Sequence, residues 1–226
     1  YRDMGYLPET LVNYLALLGW AFDATTEIMS REELIRNFSI EKINKTGAVF
    51  DINKLDWMNG YYIRQLSLPD LASRLMPFME KAGLATEIDK AYFERVLPLV
   101  QERIKKLSEI VEFTDLFFRE KLEYDSSLLV AKGLTAESSL AALRTATERL
   151  EGVTAWDHPT LEEVIRPLAA ELELKTGQLF GILRIASTGR TAAPPLFETM
   201  EVLGRDRVME RLAGAEQRLA ELAKAS

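Results

Sequence analysis

Apolar residues recur at helical spacing along almost the whole chain. Leu11, Leu15 and Leu18 fall on one face of a helix predicted from Pro8, and Gly19 can end it. Ser30 opens Ser-Arg-Glu-Glu, a capping box with Glu33, which predicts a helix to about Phe38. Ser67 predicts a further start, with Pro69 tolerated in the first turn and Gly83 as the stop. The longest helical pattern runs from Glu87 to Val111, with a kink or split expected at Pro98. A second long stretch covers 135–150. Thr160 opens Thr-Leu-Glu-Glu, read as a capping box with Glu163. Another helix fits 176–187, closed by Gly189. Pro194 is read as the start of the next, and the last helix fits 205–224. Strand signals are confined to 48–51, a candidate extended piece. The predicted class is all-α, a helical bundle or cage with adjacent cores.

Composition narrows the chemistry. The 226 residues contain no cysteine and one histidine, His158, so thiolate and multi-histidine metal sites are excluded. Asp157-His158-Pro159 reads as a turn ahead of a helix rather than a catalytic base. The pairs Glu32-Glu33 and Glu162-Glu163 are expected in first helical turns, where the helix dipole favours negative charge. No phosphate loop or metal-ligand helix motif occurs. No catalytic, cofactor-binding or metal-ligating residue is expected in this chain. No apolar run approaches the roughly 20 residues of a membrane span. The net charge of −7 lowers the expectation of nucleic-acid binding, although such binding needs only a local basic face.

One segment stands out. Residues 51–64, Asp-Ile-Asn-Lys-Leu-Asp-Trp-Met-Asn-Gly-Tyr-Tyr-Ile-Arg, concentrate Lys54, Trp57, Tyr61, Tyr62 and Arg64. Aromatic faces beside cations suit an unstacked base and its phosphate. The same residues also fit a core role for Trp57 and one tyrosine. Arg184 and Arg190 flank Gly189 near Ala193-Pro194-Pro195; such an arginine can read a base edge or bond a helix-end carbonyl. Arg103-Ile-Lys105-Lys106 reads as a solvated helix face.

Several ordered motifs resemble bacterial-type glutamyl-tRNA synthetases. They are Tyr-Arg-Asp-Met-Gly-Tyr-Leu-Pro-Glu-Thr from Tyr1, Glu27-Ile-Met-Ser-Arg-Glu-Glu-Leu-Ile, Ala48-Val-Phe-Asp, and Lys54-Leu-Asp-Trp-Met-Asn-Gly-Tyr-Tyr-Ile-Arg64. Thr188-Gly-Arg-Thr-Ala-Ala-Pro-Pro-Leu-Phe-Glu198 and Val202-Leu-Gly204 follow near the end. The resemblance implies a stem-contact helical region (1–85) followed by two helical anticodon-binding subdomains (86–133 and 134–226). It implies a class I synthetase whose catalytic domain, using ATP and Mg²⁺ to activate glutamate, lies outside this chain. The chain is then expected to bind tRNA but not to aminoacylate.

The implied partners are the anticodon arm of glutamate tRNA and the enzyme's own N-terminal catalytic domain, in a cytoplasmic monomer without membrane contact. Lys54, Trp57 and Arg64 match the stem-contact motif. Arg103, in Leu-Val-Gln-Glu-Arg, falls where an arginine reads the last anticodon base in members that discriminate against glutamine tRNA. Arg184 falls where an arginine contacts the first. Ala193, Pro194 and Leu196 match a turn that packs on unstacked bases, with Ala193 departing from the more usual Ser or Thr. The alternative is a free-standing helical scaffold of the same family that docks on another protein, which the acidic net charge favours.

Overall fold

Six α-helix starts in this chain, at Ser30, Asp51, Ser67, Asp89, Thr135 and Asp157, are set by side chains that accept hydrogen bonds from otherwise unpaired backbone N–H groups. A computed structural model describes residues 1–43, 47–84 and 89–225. Among these residues the secondary structure is helical, with no strand. The extended piece expected at 48–51 is not part of a strand; its backbone is held at Asp51 by the Tyr14 hydroxyl. Its last residue, Asp51, instead caps the helix that follows.

The described chain divides into two compact units, Tyr1–Thr114 and Asp115–Ser226. The first contains α1 (Pro8–Gly19), α2 (Arg31–Asn37), α3 (Ile52–Gln65), α4 (Leu68–Lys81) and α5 (Lys90–Gln101). Ser30 forms the expected box: Glu33 N–H donates to its Oγ at 3.1 Å, and Ser30 N–H donates to Glu33 Oε2 at 2.8 Å. Ser67 caps α4 with Pro69 in its first turn, and Gly83 follows with φ +73°. Helix α1 packs on α3, with Tyr14, Leu55 and Met58 joined in one buried cluster by Tyr6 from the segment before α1. Trp20, Met29 and Leu34 form a neighbouring cluster.

The long pattern expected from 87 to 111 is not one helix. Its start at Glu87, like the boundary implied between 85 and 86, lies outside the described residues. Pro98 does not break it: α5 runs through to Gln101. The interruption comes at 102–106, because long-range bonds take over the backbone there. Asn59 donates to Lys105 O, and Leu107 N–H donates to Gly5 O at 3.0 Å. A 3₁₀ turn (Leu107–Glu109) then leads into α6 (Ile110–Phe118).

The second unit contains α7 (Ala136–Glu151), α8 (His158–Glu171), α9 (Thr176–Thr188), α10 (Leu196–Leu203) and α11 (Arg205–Ala225). Helix α11 lies along α7 and α9, and α8 packs on α7 and α10. Two expected starts shift. Asp157, not Thr160, caps α8: it accepts from Thr160 N–H at 2.9 Å, and Pro159 occupies the first turn. His158 is therefore the first helical residue, with its N–H and Nδ1 both 2.8 Å from Glu201. Glu162 falls one turn further in, where it pairs with Arg166, so the dipole argument holds for Glu32 and Glu33 alone. Helix α10 begins after the double proline, with Pro195 at its N-cap and Pro194 outside. Gly189 ends α9 as expected, at φ +71°. A Cβ there would lie 3.1 Å from the Tyr124 ring.

Candidate nucleic-acid interface

Helix α3 carries two faces of opposite character. Leu55, Met58, Asn59 and Ile63 point inward. Lys54, Trp57, Tyr61 and Arg64 follow one another at spacings of three, four and three residues, which places them on one stripe of the helix. Trp57 is 45% exposed, so the core reading of this residue is overturned: its ring faces solvent. Tyr62 takes the inward role, with its Oη 2.8 Å from Asn13 Oδ1 and 2.7 Å from Met29 O. Burial pushes that phenol up to about 12. Lys54 Nζ lies 2.5 Å from Glu27 Oε1, and Arg64 Nε makes only a long contact with Glu102, 3.9 Å.

Arg103 is not on a helix face. It stands exposed in the turn after α5, and no described residue bonds to its guanidinium. The turn hangs from α3 through two side chains that sequence reasoning missed. Gln101 Nε2 donates to Ile63 O and Leu66 O at 2.9 Å each, closing the end of α3. Asn59, wholly buried, accepts from Leu7 N–H at 2.8 Å and donates to Gly5 O at 3.2 Å and Lys105 O at 2.5 Å. A polar residue inside an apolar stripe was the available signal for Asn59. Gln101 offered none. Gly5 must be glycine: its φ is +88° and a Cβ would lie 2.4 Å from Leu107 N.

The adjacent lysines differ. Lys106 Nζ lies 3.3 Å from both Asp56 and Glu109. Burial works against its charge, but those two bonds win and hold the ammonium above the usual lysine range. Asp56 is also bonded by Tyr6 Oη, whose pKa burial and that bond push up. Lys105 is exposed; its backbone N–H donates to Glu109 Oε2 at 2.7 Å, and among the described residues its ammonium is in no ion pair.

In the second unit, Arg184 Nη1 donates to Ala193 O at 3.3 Å. The arginine thus steadies the following turn rather than its own helix end. Thr188 Oγ1 donates to Arg184 O at 2.6 Å and accepts from Arg190 N–H at 3.2 Å. Arg190 is tied to Asp115 at 2.5 Å, and the same carboxylate holds Arg119 at 3.2 Å. Ala193, Pro194 and Leu196 are buried in this unit, while Ala192 and Pro195 are exposed. The seven expected contact residues therefore separate into Lys54, Trp57, Arg64 and Arg103 in the first unit and Arg184, Pro194 and Leu196 in the second.

Residues 70–216 match the family described as "Anticodon binding domain". The chain belongs to this family. Residues 1–57 match a second description, "tRNA synthetases class I (E and Q), catalytic domain". A protein of Dehalococcoides mccartyi strain 195 named glutamate–tRNA ligase is 55% identical over 98% of this chain and 46% of its own length. Another of that name from Roseiflexus castenholzii is 45% identical over 97% of this chain and 44% of its own. The crystal structure of a glutamate tRNA ligase from Elizabethkingia meningosepticum superposes with a TM-score of 0.83 at 25% identity, covering 96% of this chain and 42% of that one. The chain spans about half the length of the curated relatives it matches. Among the described residues, no helix is long and apolar enough to cross a membrane.

Proposed function

We propose that this chain is the anticodon-arm recognition portion of a glutamate–tRNA ligase, the enzyme that attaches glutamate to its tRNA using ATP and Mg²⁺. One observation carries the reading. An anticodon-binding match over 70–216 sits inside a chain that aligns over 98% of its length with a relative of that name. In this reading Lys54, Trp57 and Arg64 meet the arm and Arg103 reads the last anticodon base. Arg184 reads the first, beside the turn at Pro194 and Leu196. Because those two side chains are buried, that turn would contribute shape and backbone groups, with Pro195 as its exposed apolar surface. The division into 1–85, 86–133 and 134–226 is part of the proposal, as are a monomeric state and work in the cytoplasm.

The remainder of the catalytic domain is the second proposed partner. Among the described residues, every large apolar side chain that is strongly exposed, except Leu128, lies within 1–57, the stretch that matches the catalytic-domain description. Trp57 apart, such a concentration supports a stretch that another body covers.

Filter binding of the chain to glutamate tRNA and to anticodon-substituted versions tests the reading. Arg103→Gln and Arg184→Ala are each expected to weaken the cognate complex by roughly 5- to 150-fold, on the order of 1–3 kcal/mol, and to relax discrimination at one base. Equal binding to every tRNA, unchanged in both variants, would sink the proposal.

A further inference from the structure

The first unit gathers three sparsely paired cationic residues, Arg64, Arg103 and Lys105, in a chain whose net charge is −7. Arg103 and Lys105 flank the buried Ile104 on the turn after α5, and both are exposed. Arg64 reaches the same place from α3. Its Nη1 lies 3.2 Å from the point where a Cβ on Gly60 would sit, and Lys105 Cγ lies 3.5 Å from that point. The two cationic side chains thus meet over one glycine. Gly60 is in mid-helix, where glycine is less favourable than alanine, and its absent Cβ is what leaves them room. Two described carboxylates lie close: Glu102, exposed and 3.9 Å from Arg64 Nε, and Glu109, whose Oε2 accepts from the Lys105 backbone N–H at 2.7 Å while its other oxygen holds Lys106.

The contrast with neighbouring cations is informative. Lys106 holds two carboxylates and Lys54 holds one. The fold gives those ammonium groups close partners, whereas Arg64 keeps one long contact and the cationic ends of Arg103 and Lys105 are in no ion pair among the described residues. Holding like charges side by side opposes folding, and a polyanion that neutralises them gains their attraction through counterion release.

We infer that Arg64 and Lys105, meeting over Gly60, form a binding site for a phosphodiester of the tRNA backbone beside Arg103. This rests on the proposed reading in which Arg103 contacts an anticodon base. Lys105 then positions the strand and carries no sequence information, while Arg103 reads.

The experiment measures the affinity of the full chain for tRNA as a function of salt. Lys105→Gln is expected to reduce the slope of log K against log salt by about 1. It should weaken cognate and anticodon-substituted tRNAs by the same factor, roughly 10-fold at 0.1 M salt. Lys105→Arg keeps the cation and should restore the slope. At matched ionic strength, inorganic phosphate should compete no better than chloride. Displacement of tRNA by phosphate would make this a free-anion site and overturn the assignment to RNA. An unchanged slope in Lys105→Gln, with anticodon discrimination intact in the parent chain, overturns this inference and leaves the proposed function standing. A reduced slope without discrimination supports the phosphate site and removes the base-reading role of Arg103.

Discussion

The side-chain amide of Asn59 donates to the Lys105 carbonyl at 2.5 Å, across 46 residues of sequence. With its other two bonds it ties α3, the start of the chain and the turn that presents Arg103 into one frame. Asn59→Ala leaves the Leu7 N–H and the Lys105 carbonyl without their partner in a buried site, while the Gly5 carbonyl keeps the Leu107 N–H. It is expected to destabilise the chain by about 3 kcal/mol. Urea denaturation gives the magnitude, and hydrogen exchange locates it: the Leu7 amide should lose protection before the amides of the second unit. Unchanged protection at Leu7 would show that the frame does not depend on Asn59.

Arg211 plays the corresponding part in the second unit. It is 7% exposed and donates to Ser187 O and Leu116 O at 2.7 Å and to Arg119 O at 2.8 Å. Only a planar guanidinium spans carbonyls from separate segments in this way. Arg211→Met should destabilise by on the order of 3 kcal/mol or more, and Arg211→Lys by roughly half as much. Chemical denaturation ranks the two. A lysine variant as stable as the parent would remove the argument from the fork.

Asp23 responds to acid in a defined direction. The Thr26 hydroxyl, then the N–H groups of Thr25 and Thr26, hold its carboxylate at about 2. A depressed folded value means that the stabilisation is fully present above the ordinary carboxylate range, about 4, and is lost as pH falls through that range toward 2. A carboxyl titration followed by NMR should place the Asp23 midpoint near 2, and Thr26→Val should raise it. A midpoint in the ordinary range for the parent chain would mean that the loop does not hold this arrangement in solution.

What the sequence disclosed, and what it concealed, follows from the range of the interactions. Ser30, Ser67 and Gly189 announce helix ends because each acts within four residues of itself. The Thr160 box misled because Asp157, three residues earlier, is a competing cap with a proline suitably placed behind it. The break after Gln101 was invisible locally. It is made by Asn59 and Gly5, about 40 and 100 residues away. For the same reason Lys105 and Lys106 look alike in sequence, and only folding gives carboxylates to one of them. The cations and aromatics of 51–64 and the pair Arg103 and Arg184 were readable as candidates. The burial of Pro194 and Leu196 was not, because it depends on how the second unit packs around them.

The close fit of Gly5 against Leu107 also has a consequence for biosynthesis. Ser108 Oγ donates to Met4 O across 104 residues, next to the Leu107–Gly5 bond. The first residues of the chain therefore cannot reach their final places until the stretch beyond Ile104 has left the ribosome. At roughly 5–20 residues per second that is a delay of several seconds, during which the apolar side of α1 waits for part of its frame. Loop closure over such a separation also slows the final step relative to local helix formation. The first unit would be completed by its last residues to emerge, late in its own synthesis, although its earliest residues form part of its core.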